Sequence, residues 1–165
     1  MQISKCYDNK AFGSLGQKFC EPLMNRISIS IENNLADVGL LGVCIRSVAS
    51  FAFIPEQCAE IELAVVEAVN NIIKHTYAHL EKAQLNVVYS LFEDKAVIEV
   101  IDYGQAMAPN RLAEQDKDLD FDLENIYSLP ESGMGLMLIK SCMSEVSYVS
   151  EDSCNRMILI KHRTV

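Results

Sequence analysis

The sequence is as informative in what it lacks as in what it holds. No run of apolar residues approaches the roughly 20 that a membrane-spanning helix needs, so the chain is expected to be soluble. No dense Lys/Arg cluster is present; the short Lys161-His162-Arg163 group is the nearest to one. With a formal net charge of −9, a sequence-independent grip on nucleic acid is not expected. Any polyanionic ligand must then be held by local geometry and a cation. The six cysteines (Cys6, Cys20, Cys44, Cys58, Cys142 and Cys154) show no C-x-x-C pairing and no histidine at ligand spacing, which argues against a zinc site. No signal peptide is recognisable, so reduced thiols in a cytoplasm are expected, with Cys44, Cys58 and Cys142 acting as small core hydrophobes. Repeats and low-complexity tracts are also absent.

What is present suits one domain. The 165 residues are half apolar, enough for a sizeable core. Residues 1–25 show no clear period and are expected to be an N-terminal extension of unknown role. The folded domain is expected over 26–165. Ile27, Ile29 and Ile31 alternate with polar neighbours, which predicts a half-buried strand from Arg26 to Glu32. Asn33 and Asn34 offer a cap for a helix from about Leu35 to Ala52. Pro55 suits the first turn of a second helix, from about Glu56 to Tyr77. At 100° per residue its apolar set forms one broad face, and Glu60, Glu67, Asn71 and Lys74 fall together opposite.

A hairpin follows: alternation at Leu85, Val87, Tyr89 and Leu91, a turn at Glu93-Asp94-Lys95, and an apolar return from Val97 to Asp102. Residues Pro109 to Glu131 are acidic and weakly periodic, a long connection of the kind that often forms a lid. A helix from about Met134 to Met143 and strands over Val146–Val149 and Arg156–Lys161 complete the chain. The pattern predicts an α+β fold, a two-layer sandwich whose mixed, mostly antiparallel sheet is covered on one face by helices.

Three local features carry chemistry. Glu67 and Asn71 are neighbours four apart on a helix, an oxygen environment suited to Mg²⁺, with Lys74 one turn on to meet a phosphate. Asp102-Tyr103-Gly104-Gln105-Ala106 sits where an apolar strand ends; an acceptor-only carboxylate there can receive the exocyclic amine of adenine, and glycine permits a sharp exit. Ser132-Gly133-Met134-Gly135-Leu136 opens a helix, where free amides can bind phosphate. It lacks the Gly-Lys-Ser/Thr ending of a P-loop, and no strand and third glycine make it a dinucleotide fingerprint. Each feature alone also fits an ordinary surface, turn or helix start.

Together, and in this order, they resemble the ATP-binding superfamily of gyrase, the Hsp90 chaperones, histidine kinases and MutL. The closest likeness is to bacterial anti-sigma-factor serine/threonine kinases. Glu67, Asn71, Lys74, His75 and Tyr77 resemble that group's N box. Asp102, Gly104 and Ala106 resemble its first glycine box, and Ser132 to Leu136 its second, with Asn155 also in place. The resemblance covers roughly Arg26 to Lys161 and implies a Bergerat-type ATP-binding fold. It implies that Asn71 ligates Mg²⁺, Asp102 receives the adenine amine, and Gly104 and Ala106 shape the base pocket. Gly133 and Gly135 would contact phosphates, with Ser132, Met134 and Leu136 in the same loop and Lys74 and His75 nearby. Glu67 would be the general base, a group that a serine hydroxyl requires. Implied partners are a sigma factor and an anti-anti-sigma antagonist carrying the phosphorylated residue, with a homodimer formed through the first strand and helix. The runner-up is a nucleotide-binding anti-sigma or scaffold module without useful phosphotransfer. Ala106 and Glu131 depart from relatives that carry glycine and arginine there.

Overall fold

In the computed structural model, residues 23–80, 82–108 and 134–164 are described. They form strand β1 (Asn25–Glu32), helix α1 (Leu35–Ala49), helix α2 (Pro55–Asn71), the hairpin β2 (Gln84–Leu91) and β3 (Lys95–Asp102), helix α3 (Met134–Cys142), and a second hairpin, β4 (Glu145–Glu151) and β5 (Cys154–His162). The five strands lie in the order β1-β2-β3-β5-β4. All four pairings are antiparallel, so the sheet is more uniform than the mixed one expected. β3 and β5 pair out of chain order, so the connection that carries α3 skips past β5 to β4 at the sheet edge, and the helices gather on one face. The anticipated lid, 109–131, and most of the anticipated extension, 1–22, lie outside the described residues.

Local chemistry sets most boundaries. Asn34 caps α1 by accepting the Ala36 N–H at 3.0 Å, while Pro55 occupies the first turn of α2. Asn33 takes a different task from the capping expected of it. Its amide nitrogen donates to Leu80 O and its oxygen accepts from Ala83 N, each at 2.8 Å, fastening the segment after α2 to the edge of the sheet. α1 ends at Ala49, three residues before the expected limit, in a turn closed by Phe53 N–H to Ala49 O at 3.0 Å.

The main core lies between the helices and one sheet face. Val38, Leu41 and Ile45 of α1, Ile61, Val65 and Val69 of α2 and Ile139 of α3 meet Leu85, Val87, Ile98, Val100 and Leu159. Of the cysteines expected there, Cys58 and Cys142 are buried and Cys44 is half-buried. Two smaller clusters, Val88-Ile101-Cys154 and Phe92-Val97-Ile158, lie on the opposite face of the sheet.

The second helix departs most from its sequence pattern. It is α-helical only to Asn71; Ile72–Thr76 form a π-helical turn, closed by the Tyr77 N–H to Ile72 O at 2.9 Å. A π turn holds more residues than an α turn, so the 100° step no longer applies beyond Asn71. The polar stripe expected along this helix is therefore divided. Glu60 pairs with Lys161 Nζ at 2.6 Å, Glu67 and Asn71 face α3, and Lys74 is carried out to solvent.

Candidate functional site

The π turn, the end of β3 and the start of α3 converge on one cavity of about 250 Å³. Ala68, Asn71, Ile72, His75 and Thr76 line one side, and Asp102 with residues 105–108 another. Gly135 and Leu136 close the helix side, and Tyr148 and Met157 rise from the sheet floor. The cavity falls just below the roughly 300–1,000 Å³ usual for small-molecule sites, and polar and apolar groups share its lining about equally.

Asp102 is the most constrained of these groups. It is buried, and its Oδ1 accepts from Asn155 Nδ2 and from the Gly104 N–H, both at 2.9 Å. Asn155 is held in turn: Ser150 Oγ donates to its Oδ1 at 2.8 Å, and its Nδ2 also donates to Gly104 O at 3.1 Å. Loss of water around Asp102 pushes its carboxyl above the usual range, and the Asn155 and Gly104 hydrogen bonds oppose that rise. Among the described residues, both of these donors go to Oδ1. A carboxylate fixed by one oxygen at a cavity wall can use the other to accept from a ligand.

Gly104 lies behind this wall rather than in the cavity lining. A Cβ there would stand 2.1 Å from the Thr76 methyl and 2.9 Å from the Tyr77 ring. The absent side chain thus lets the π turn close against the end of β3. Tyr77 secures the same junction, accepting the Tyr103 N–H at 3.0 Å and donating to Gln84 O at 3.2 Å. Gly104→Ala is expected to destabilise the fold by about 1–3 kcal/mol through overpacking. A thermal melt should show the fall in Tm without nucleotide; an unchanged Tm would mean that the junction can open at little cost.

Gly135 makes the corresponding approach from α3. Its missing Cβ would lie 3.0–3.1 Å from the Asn71 amide atoms and 3.1 Å from Glu67 Oε2. The start of α3 is therefore pressed against these two side chains, and only glycine leaves them in place. Glu67 stands beside the cavity rather than among its lining residues, whereas Asn71 belongs to both.

Of the sequence-derived site residues, Asn71, His75, Asp102, Ala106, Gly135 and Leu136 line the cavity. Glu67 and Gly104 adjoin it through the contacts above. Met134 is half-buried outside the lining, and Lys74 is exposed and away from it. Ser132 and Gly133 lie outside the described residues. Sequence reasoning missed Thr76, Tyr148 and Met157. Strand parity carried a signal for Tyr148, which shares a face with Val146, and its hydroxyl accepts the Met107 N–H at 2.9 Å to hold the cavity rim.

The profile of the histidine kinase-like ATPase domain family matches residues 31–161. Serine-protein kinases RsbW from Staphylococcus aureus strains MRSA252 and Newman are each 33% identical over 132 residues, spanning 76% of this chain and 77% of theirs. A crystal structure of the RsbU and RsbW domains of Rv1364c from Mycobacterium tuberculosis superposes with a TM-score of 0.59 at 17% identity. The match covers 86% of this chain and 34% of that one, and it supports the fold alone. With the three segments gathered at one cavity and the family match spanning them, the chain belongs to the histidine kinase-like ATPase domain family, as an ATP-using kinase of the RsbW type.

Proposed function

We propose that the chain transfers the γ-phosphoryl group of ATP, bound with Mg²⁺, to a serine of an antagonist protein, and that it holds a sigma factor in competition with that antagonist. The convergence of Asn71, Asp102 and Gly135 on one cavity, with Glu67 against Gly135, carries this reading.

The cavity fits the nucleotide in three respects. Ala68, Ile72, Leu136 and Met157 offer apolar surfaces to a flat base. Asp102 offers a fixed acceptor to its exocyclic amine. The Gly135 backbone meets Asn71 with no side chain between them, which leaves that amide facing the phosphate end. Gly104 acts on the base pocket by seating the π turn, while Ala106 lines it directly. Ser132, Gly133 and Met134 are assigned with Gly135 to the phosphates, and Lys74 and His75 to their outer edge.

Among the described residues, no three His, Cys, Asp or Glu side chains gather as a metal cluster. Mg²⁺ suits such a place because it takes few protein ligands and completes its shell with water and phosphate. Asn71 would be its protein ligand, and the ion would neutralise charge on the transferring group. Glu67 takes the proton of the attacking serine hydroxyl as the new oxygen–phosphorus bond forms. The bond between the γ-phosphorus and the β–γ bridging oxygen breaks, and ADP departs.

A sigma factor and a small antagonist are assigned as partners on the strength of the RsbW relatives, and the cytoplasm as the compartment. Among the described residues, no helix is long and apolar enough to cross a membrane. A homodimer is supported by Leu35, Leu40 and Val43, which α1 presents to solvent.

Incubation with γ-labelled ATP and an antagonist protein is expected to place the label on one serine of that protein. Chelation of Mg²⁺ by EDTA should reduce transfer at least about 100-fold, given the share of charge stabilisation that metal supplies in phosphoryl transfer. ATP affinity without any labelled partner would replace this reading with the binding module.

A further inference from the structure

Asp102 answers only half of an adenine edge. That edge carries two groups side by side: the exocyclic amine, which donates, and the ring nitrogen N1, which accepts. An ionised carboxylate can only accept, so N1 needs a donor from elsewhere in the wall. The donor side chains in the cavity lining are Asn71, His75, Thr76, Gln105 and Tyr148. Asn71 meets Gly135, at the end assigned to the phosphates. His75 and Gln105 are exposed, and the Tyr148 hydroxyl is held at the rim by the Met107 N–H. Thr76 is half-buried in the wall itself.

Contacts place Thr76 beside Asp102. The Thr76 methyl is the atom nearest to where a Gly104 Cβ would stand, and the Gly104 N–H donates to Asp102 Oδ1 at 2.9 Å. With the methyl turned to Gly104, the hydroxyl occupies a different branch of the same Cβ. Among the described residues that hydroxyl makes no hydrogen bond. The π turn explains why. A threonine in an α-helix commonly bonds back to the carbonyl four residues earlier. Here that carbonyl, Ile72 O, receives the Tyr77 N–H at 2.9 Å and no bond from Thr76. An uncommitted hydroxyl and an acceptor-only carboxylate thus share one cavity wall.

We infer that the Thr76 hydroxyl donates to N1 of the adenine ring, so that Thr76 and Asp102 together read the two adjacent groups of its edge. The inference rests on the assignment of Asp102 to the exocyclic amine. The pair offers an acceptor to the amine and a donor to N1, the pattern that adenine complements. Guanine would set a carbonyl oxygen against the carboxylate and leave its own N1–H toward the hydroxyl. The π turn thereby bears on base recognition, because it seats Thr76 against Gly104 and frees the hydroxyl from the helix backbone.

The test is titration of the full chain with ATP and with 1-deaza-ATP, each with Mg²⁺. The analogue keeps the amine and carries C–H in place of N1. Wild type is expected to bind it about 5–10-fold more weakly than ATP, the scale of one neutral hydrogen bond. Thr76→Val keeps a methyl against Gly104 and removes the hydroxyl. It is expected to lower ATP affinity by a similar factor and to bind the two nucleotides within about 2-fold of each other. Thr76→Ser keeps the hydroxyl and should retain the wild-type preference. A packing role alone would weaken both nucleotides alike, so the ratio between them decides. Equal affinities in the wild type would overturn the inference, even if Thr76→Val fails to fold. A wild-type ratio that persists in Thr76→Val would overturn it too, giving N1 to another donor or to water. Titration of Asp102→Asn is read separately: unchanged ATP binding there would remove the amine contact, and the pairing with it.

Discussion

Asp102→Asn is expected to weaken ATP binding at least about 100-fold, the scale of a charge-assisted hydrogen bond replaced by two opposed donors. The substitution is informative because it separates scaffold from ligand contact. Asn155 Nδ2 and the Gly104 N–H both donate to Oδ1, and an amide oxygen in that place accepts from both. The other atom becomes an NH₂ facing the adenine amine. Titration calorimetry with ATP and Mg²⁺ checks the affinity, and unchanged binding would remove the adenine contact.

A thermal melt of the nucleotide-free protein adds a second reading. Burial holds the Asp102 pKa above its unfolded value. Between those two values the folded chain binds more protons than the unfolded one, so the Asp102 contribution to stability falls as pH rises through the folded value. At neutral pH the ionised carboxylate is then a cost to the empty fold, and the neutral amide should leave Tm equal or higher. ATP affinity should decline on acidification at a higher pH than an exposed aspartate would give, since the protonated acid offers a donor where an acceptor is required.

Glu67→Gln should lower the phosphotransfer rate by about 10²–10⁴-fold, the usual contribution of a positioned base. ATP affinity should stay within about 3-fold of wild type, because Glu67 adjoins the cavity without lining it. Glutamine keeps the size of the side chain beside Gly135, so the start of α3 is not displaced. Single-turnover transfer to the antagonist, alongside nucleotide titration, gives both numbers. A rate unchanged in this variant would assign proton removal elsewhere.

Much of this was legible before any coordinates. Alternation at Ile27, Ile29 and Ile31 marked β1, and a Glu-Asp-Lys turn between two apolar runs marked the central hairpin. Asn34 and Pro55 signalled their helix starts through capping and fixed backbone geometry. Such features act over two to four residues, a range within which chain neighbours decide the conformation. Asp102 at a strand end and the paired glycines around the start of α3 were visible for the same reason.

Lys74 shows where that legibility stopped. Helical spacing set it beside Asn71, but the π turn that follows Asn71 swings it into solvent while His75 and Thr76 reach the cavity. The turn forms in a packed setting: Gly104 seats against Thr76 and Tyr77, and Tyr77 bridges Gln84 and Tyr103, the latter, like Gly104, distant in the chain. No periodicity within the helix records those contacts.

The sequence by itself determined the elements, the strand parity and the three segments that carry chemistry, because hydrogen-bonding and apolar periodicity are properties of neighbouring residues. Tertiary structure alone decided that Asn155 would reach the oxygen of Asp102 that the neighbouring Gly104 N–H already holds. It also decided that Tyr148 would hold the cavity rim and that Thr76 would line the cavity against Gly104. Each of these joins residues remote in the chain, and their encounter depends on how the sheet pairs and on which face the helices pack.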